Sequence, residues 1–483
     1  MNLQDFNLLK TSSFINGKWL STDKTFDVAN PADGNIIVNI AEVSNEQLDY
    51  AVNSADIAQK TWAAQPVKER SKILMCWHQL LLDNINDLAI IMTLEQGKPI
   101  RESVSEITNA ASYVEWFAEQ AKRIYGDIIP SQTNDRRQLT LLQPIGVVGA
   151  ITPWNFPTGM IARKAAPALA AGCSIIVKPS EYAPLSALAL AELAERAGIP
   201  PGVFNVVVGR ESQGIGNVLT QHPKIRKFTF TGSTRVGKKL LAQCASTVKK
   251  TSLELGGNAP LIIFDDADID HAVNEAMISK FRNAGQTCVC ANRIFVQRGV
   301  YQQFIEKISS QISTLKLAKG IDKLCDVGPL INMSAINKVH ELVEEAVVDG
   351  AKLVMGGKVD ESLGPLFYQP TLLTDVTSKM AIAKNEIFGP VASIIPFDTE
   401  QDAVTMANDT RYGLAAYFFT KDISRTWRIS ESLEYGMVGV NVGILTGVQA
   451  PFGGVKESGL GREGSHHGLD DFLEMKYICM GNL

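Results

Sequence analysis

From Gly146 onward the chain alternates short apolar runs with helical text. GVVGAIT, CSIIVKP, VFNVVVG and IRKFTFTG are separated by MIARKAAPALAAG, LSALALAELAERAG and a helix near 212–220, and TRVGKKLLAQCA follows the last of them. Strands that are apolar along their whole length must be covered on both faces, and an intervening helix supplies each cover. The pattern therefore predicts an α/β fold with an open, mostly parallel sheet. Ligands of such sheets gather at the carboxyl ends of the strands. A second α/β run opens at PLIIFDDAD (260–268). It continues through a helix near 268–284, the strand NRIFVQ and a helix from Tyr301, extends to about 435, and predicts another domain.

With 483 residues the chain has room for two or three domains and a sizeable core. Residues 46–125 are helical: apolar side chains recur through Ile73, Leu74, Trp77, Leu80 and Leu81, and again through Ile107, Ala110, Ala111, Val114 and Phe117. GDIIPSQTNDRRQLTLLQP reads as a hairpin with its turn near Asn134-Asp135, and MKYICM near the end reads as a strand. These two pieces are expected to pair in an oligomer arm.

A formal net charge of −5 gives no field that would gather phosphate backbones or anionic lipid, so neither nucleic acid nor a membrane is expected as a partner. The longest uncharged stretch, 138–162, carries Pro144, Pro153, Pro157 and three glycines, which would break a spanning helix. The opening MNLQDFNLLK has neither a signal-peptide apolar run nor a transit-peptide composition, and the expected location is the cytoplasm. Seven thinly spread cysteines fit reduced thiols. No two of the six histidines are spaced i, i+4 and none lies in a cysteine cluster, so no metal is expected.

Three peptides carry chemistry. FRNAGQTCVCANR puts Cys288 in a loop after an apolar helix, among small and polar neighbours that leave it approachable. TSLELGGNAP places Glu254 before a Leu-Gly-Gly turn, and PWNFP ends the first sheet strand with a proline-bracketed Asn155. In this order, and with KPSE at 178–181, TGS at 231–233 and EIFGP at 386–390, they make the chain resemble the NAD(P)-dependent aldehyde dehydrogenase superfamily. Within it the chain closely resembles the succinate-semialdehyde dehydrogenases. SKFRNAGQTCVCANR and PFGGVKESGLGREGS are the most specific peptides, and the likeness runs from FINGKW to the last strand.

The resemblance implies a Rossmann-type cofactor domain (1–126 and 146–253), a second α/β catalytic domain (254–440) and a β oligomerisation arm (127–145 and 469–483). Residues 441–468 would form a substrate-site loop and return segment. It implies that Cys288 adds to the aldehyde carbon to give a thiohemiacetal, and that the Asn155 amide holds the oxyanion. Glu254 would act as the base that activates water against the thioester. For the cofactor, Gly232 and Ser233 would meet the pyrophosphate at a strand–helix turn, departing from G-x-G-x-x-G as this family does. Lys178 would contact the adenosine ribose and Glu386 the nicotinamide ribose, with Phe388 packed nearby. Trp154, Pro179, Ser180, Leu255 and Asn155 itself complete the expected cofactor set.

For the substrate, Arg163 and Arg282 match positions that clamp a distal carboxylate, for which paired guanidinium donors are suited. Thr446 stands where that branch has serine, adding a methyl, and Phe156 and Phe452 would wall the carbon chain. Glutarate semialdehyde or another short acidic aldehyde is the alternative substrate. Glu181, three residues after Lys178, would accept hydrogen bonds from the ribose hydroxyls and repel a 2′-phosphate, so NAD is expected over NADP, with NADP possible. A homo-oligomer, tetramer or dimer, is implied. Cys290 offers Cys288 a disulfide partner under oxidation, although a bridge across one residue demands a bent backbone. A cysteine hydrolase would need an orienting histidine, and none lies in these motifs; a non-catalytic relative would be expected to have lost Cys288 or Glu254.

Overall fold

The computed structural model describes residues 2–482. Five parallel strands form the heart of the first sheet, in the order Lys250–Glu254, Ile225–Thr231, Val147–Ile151, Ser174–Lys178, Phe204–Val206. The chain starts in the middle, moves outward through two strands, and returns to the other side of Val147–Ile151 for the last two. That reversal opens a crevice at the carboxyl ends of Val147–Ile151 and Ile225–Thr231, where a ligand of such a sheet belongs. Four of these strands are the apolar runs legible in the sequence. The fifth, KTSLE, is polar at most positions and buries by pairing with Ile225–Thr231 rather than by being apolar itself. Antiparallel additions close both edges: Ser13–Ile15 and Lys18–Leu20 on one, Gly459–Leu460 on the other.

Residues 255–258 carry the chain into a second, seven-stranded sheet. Its strands run Lys352–Met355, Thr371–Thr374, Val391–Phe397, Ala291–Gln297, Ala259–Ile263, Ala415–Phe419, Met437–Val440, all parallel except the first. The α/β run thus reaches Val440, slightly past the sequence expectation. A helical layer packs against the first sheet. A capping box at Ser44 and Gln47 starts Asn45–Ala64. Ile100–Gln120 buries Ile107, Ala110, Ala111, Val114 and Phe117 in one core with Pro157–Ala171, the helix that follows the first parallel strand.

Arg136–Pro144 pairs with Ile128–Ile129 as a hairpin, and Leu473–Gly481 lies antiparallel to it from Leu473 opposite Pro144 to Gly481 opposite Arg136. A further hairpin, Thr25–Ala29 with Ile36–Ala41, has no clear signal in the sequence. No helix among the described residues is long and apolar enough to cross a membrane.

Candidate active site

Helix Ile269–Phe281 runs into a tight turn at Arg282–Gly285 before the cysteine loop. Asn283 and Ala284 both take left-handed backbone there, at φ +51° and +54°, a conformation that costs free energy for residues with a side chain. The surroundings hold it. Gln96 donates to the Asn283 side-chain oxygen at 2.9 Å, and the Asn283 amide donates to the carbonyls of Asn155 (3.1 Å) and Gln286 (3.3 Å). The Asn283 N–H donates to Glu102 at 2.8 Å.

Cys288 is half-buried at a cavity of about 280 Å³ whose walls include Phe156, Arg163, Arg282, Thr446 and Phe452. All five residues expected at the substrate thus share one cavity with the expected nucleophile. Burial, the Glu386 carboxylate and Glu254 push the Cys288 thiol up to about 12, against the pull of Arg163. The resting thiol is protonated at neutral pH. Cys290 is buried and its thiol faces the carbonyls of Lys280 and Ala291; both cysteines are free.

Arg163 stacks over the rings of Phe452 (4.3 Å) and Tyr113 (5.0 Å), 4.0 Å from Glu463, and its Nη1 has no hydrogen-bond partner among the described residues. A buried guanidinium on the wall of a largely apolar cavity is suited to a carboxylate. The cavity also holds residues that the sequence reading passed over: Glu102, Ser105, Glu106 and Asn109. Their spacing puts them on one face of Ile100–Gln120, beside the apolar stripe. A polar stripe on a helix is usually a solvated face, so the spacing alone did not mark it.

PWNFP makes the corner between Val147–Ile151 and helix Pro157–Ala171. Asn155 is buried there, and its amide donates to the Gln286 carbonyl at 2.9 Å, leaving one of its two N–H donors for another acceptor. The same bond ties the corner to the cysteine loop.

Glu254 is the last residue of its strand and does not line the Cys288 cavity. It sits behind, buried, with Oε2 unpartnered among the described residues. Burial first and Glu463 second raise its carboxyl well above the usual range, opposed by Lys164, Arg163 and Arg462. Glu463 pairs with Lys164 at 2.5 Å. Glu463 lies within PFGGVKESGLGREGS but was given no role there, and Lys164 was marked by no motif.

At the crevice between the central strands, Ser233 caps helix Thr234–Cys244, its hydroxyl accepting from Val236. The Gly232 N–H corrects an expectation: it donates to the Glu254 carbonyl at 3.0 Å, so the donors open at this turn begin after Gly232. A Cβ at 232 would stand 2.5 Å from the Phe230 ring, which explains that glycine without a ligand. Leu255 packs against Gly237, with no room for a larger side chain between them. A second cavity of about 400 Å³ joins Ser233, Thr234 and Arg235 to Lys338 and Glu386, whose Oε1 accepts from the Gly257 N–H at 3.0 Å. Phe388, at φ +60°, meets Trp154 edge-on at 5.7 Å. Lys178 is buried at the end of its strand, Pro179 and Ser180 follow it under cover, and Glu181 faces the ammonium at 3.3 Å. A crevice at the strand-order reversal, with a helix start and a carboxylate on its wall and a buried ammonium at the end of the neighbouring strand, fits a dinucleotide. Among the described residues no group of three or more His, Cys, Asp and Glu side chains is placed to hold a metal ion.

Residues 19–478 match the Aldehyde dehydrogenase family. The mitochondrial succinate-semialdehyde dehydrogenase of Oryza sativa subsp. japonica is 54% identical over 478 residues, covering 99% of this chain and 90% of its own. The 3-sulfolactaldehyde dehydrogenase of Pseudomonas putida is 53% identical over 485 residues, covering 100% and 99%. The crystal structure of an E. coli NADP-dependent enzyme superposes with a TM-score of 0.98 at 52% identity, covering 99% of this chain and 100% of that one. Matched along nearly its whole length by family and relatives alike, the chain belongs to the aldehyde dehydrogenase family.

Proposed function

We propose that this protein oxidises succinate semialdehyde to succinate with NAD(P). The observation that carries the reading is one cavity with a thiol, Cys288, and two guanidinium groups, Arg163 and Arg282, on its walls. An aldehyde reaches the sulfur while the far carboxylate meets the arginines. Phe156 and Phe452 exclude water along the short chain between them, and Thr446 adds a hydroxyl donor. A neighbouring short acidic aldehyde, glutarate semialdehyde among them, is the second reading. The open polar stripe of Ser105 and Asn109 favours it by leaving room and donors at the anionic end.

In this reading the Cys288 sulfur, once deprotonated, adds to the carbonyl carbon, and the free Asn155 N–H and the Cys288 N–H receive the new oxyanion. One such donor is typically worth about a hundred- to thousandfold in rate. The nicotinamide supplies, when bound, the acceptor for the hydride that converts the Cys288 thiohemiacetal to a thioester. Ser233 at the helix start, Glu386, Lys178 and Glu181 would hold the dinucleotide, with Trp154, Phe388 and Leu255 around it. Glu254 then turns from its buried rest position, takes a proton from water, and the hydroxide releases succinate from the sulfur.

Glu181 beside Lys178 supports a preference for NAD, since its carboxylate would repel a 2′-phosphate. The exposed β arm supports a homo-oligomer, and seven free thiols suit the cytoplasm. The test is to incubate purified protein with a panel of aldehydes and each nicotinamide, following reduced cofactor by absorbance. Succinate semialdehyde with NAD should give the highest kcat/KM; a higher value with NADP overturns the cofactor preference. Arg163→Ala should cost succinate semialdehyde about ten- to a hundredfold in kcat/KM, the worth of a charge-assisted pair, and an uncharged short aldehyde far less. Equal losses would sink the clamp.

A further inference from the structure

Lys98 carries no motif and touches neither cavity, yet its side chain is 0% exposed. Its ammonium donates to Glu106 Oε2 at 2.5 Å and to the Asn155 backbone carbonyl at 2.7 Å, and lies 4.1 Å from the centre of the Phe156 ring. The other oxygen of Glu106 accepts the N–H groups of Thr158 and Gly159, each at 3.0 Å, in the first turn of helix Pro157–Ala171. A buried ion pair thus brackets residues 155–159 from both ends. It reaches them from the turn between helices Ile85–Gln96 and Ile100–Gln120, where Gln96 Oε1 also accepts the Lys98 N–H at 2.9 Å.

Such a pair is a poor way to gain stability, because well-packed apolar residues of the same volume do as well or better. It does one thing they cannot: it fixes a carbonyl. The Asn155 carbonyl belongs to the peptide that links the asparagine to Phe156, so holding it sets the plane of that peptide. With the plane set, the backbone that carries the Asn155 side chain is held, and the amide's own bond to the Gln286 carbonyl at 2.9 Å fixes its direction.

We propose that Lys98 is a positioning residue for aldehyde oxidation: through the Asn155 carbonyl it holds the backbone that presents the Asn155 amide to the oxyanion. The inference rests on the oxyanion role proposed above for Asn155. Asn283, the carbonyl's second donor at 3.1 Å, belongs to the cysteine loop, so Asn155 is fixed from the helical layer and from the nucleophile's side at once.

Lys98→Met alone strands a buried carboxylate and can fail to fold for that reason. The informative variant is Lys98→Met combined with Glu106→Gln, which is neutral and keeps an oxygen for Thr158 and Gly159. It should melt near the parent and lose about ten- to a hundredfold in kcat, the cost of a misplaced catalytic group, with KM for succinate semialdehyde within about twofold. In an Asn155→Ala background the same pair of changes should cost little more, because both act through one donor. A folded pair variant with the parent kcat, or losses that multiply with those of Asn155→Ala, would overturn the positioning role. If Asn155→Ala itself turned over at the parent rate, the oxyanion assignment would fall, and this inference with it.

Discussion

Cys288 shows how far a residue's chemistry depends on where it sits. A free thiol is a few per cent ionised at neutral pH, but one pushed up to about 12 is ionised to roughly one part in ten thousand at pH 8. Alkylation of the free protein by iodoacetamide at Cys288 should therefore rise about tenfold per pH unit from 7 to 10 without a plateau. A plateau below pH 9 would mean that the resting site already favours the thiolate. Glu254 depends on pH in the same direction. Its carboxyl is raised, so it is neutral below its folded value, and base action is lost as the pH falls through that value. Thioester hydrolysis should weaken on the acid side while the first hydride transfer, measured as a burst, persists. Glu254→Gln should copy that state at every pH, giving one burst of reduced cofactor and then a stall, while Cys288→Ala should give no burst. Steady turnover of Glu254→Gln at the parent rate would remove Glu254 from the deacylation step.

The element that joins the two sheets, residues 255–258, is also what holds the cysteine loop in place. A Cβ on Gly257 would run into the Cys288 carbonyl oxygen, whereas one on Gly256 would meet the movable end of Glu386 at 3.0 Å and the Thr234 hydroxyl at 3.4 Å. Gly257→Ala must therefore shift the Cys288 backbone or break the bond to Glu386, and overpacking of this kind costs about 1–3 kcal/mol. We expect a lower melting temperature and a marked loss of kcat for Gly257→Ala, and smaller effects for Gly256→Ala; the reverse ranking would refute the contact. These elements also show what was legible before the structure. Val147–Ile151 and Ser174–Lys178 declare themselves because strands covered on both faces must be apolar throughout. Asn155 was findable because two prolines fix its corner. Lys250–Glu254 was not, since a strand at the margin of the apolar core owes its place to its neighbour's hydrogen bonds. Lys98, Lys164 and Glu463 were not, because a charge paired inside and a charge in water are the same letter in a sequence. Only their partners, which lie up to 299 residues away, distinguish the two.

At the scale of the molecule, the arm is the part that a single chain leaves unfinished. Leu473–Gly481 is an edge strand, and Met475 (65% exposed) and Tyr477 (56%) project from it while Ile128 (89%) stands bare on the hairpin's far strand. Exposed edges and apolar patches of this kind invite pairing and are normally covered. None of the residues lining either cavity is on the arm, so charging the arm should leave both cavities in place. Met475→Lys with Tyr477→Lys places two cations on the strand without touching its nine backbone pairings to Arg136–Pro144. Light scattering should find the parent at a multiple of 52.5 kDa and the charged variant shifted toward one chain, with the aldehyde and cofactor preferences unchanged. A parent already at 52.5 kDa would remove the oligomer from the reading. A variant that keeps the parent's mass would show that the subunits meet elsewhere, leaving the arm's bare strand to be explained by some other contact.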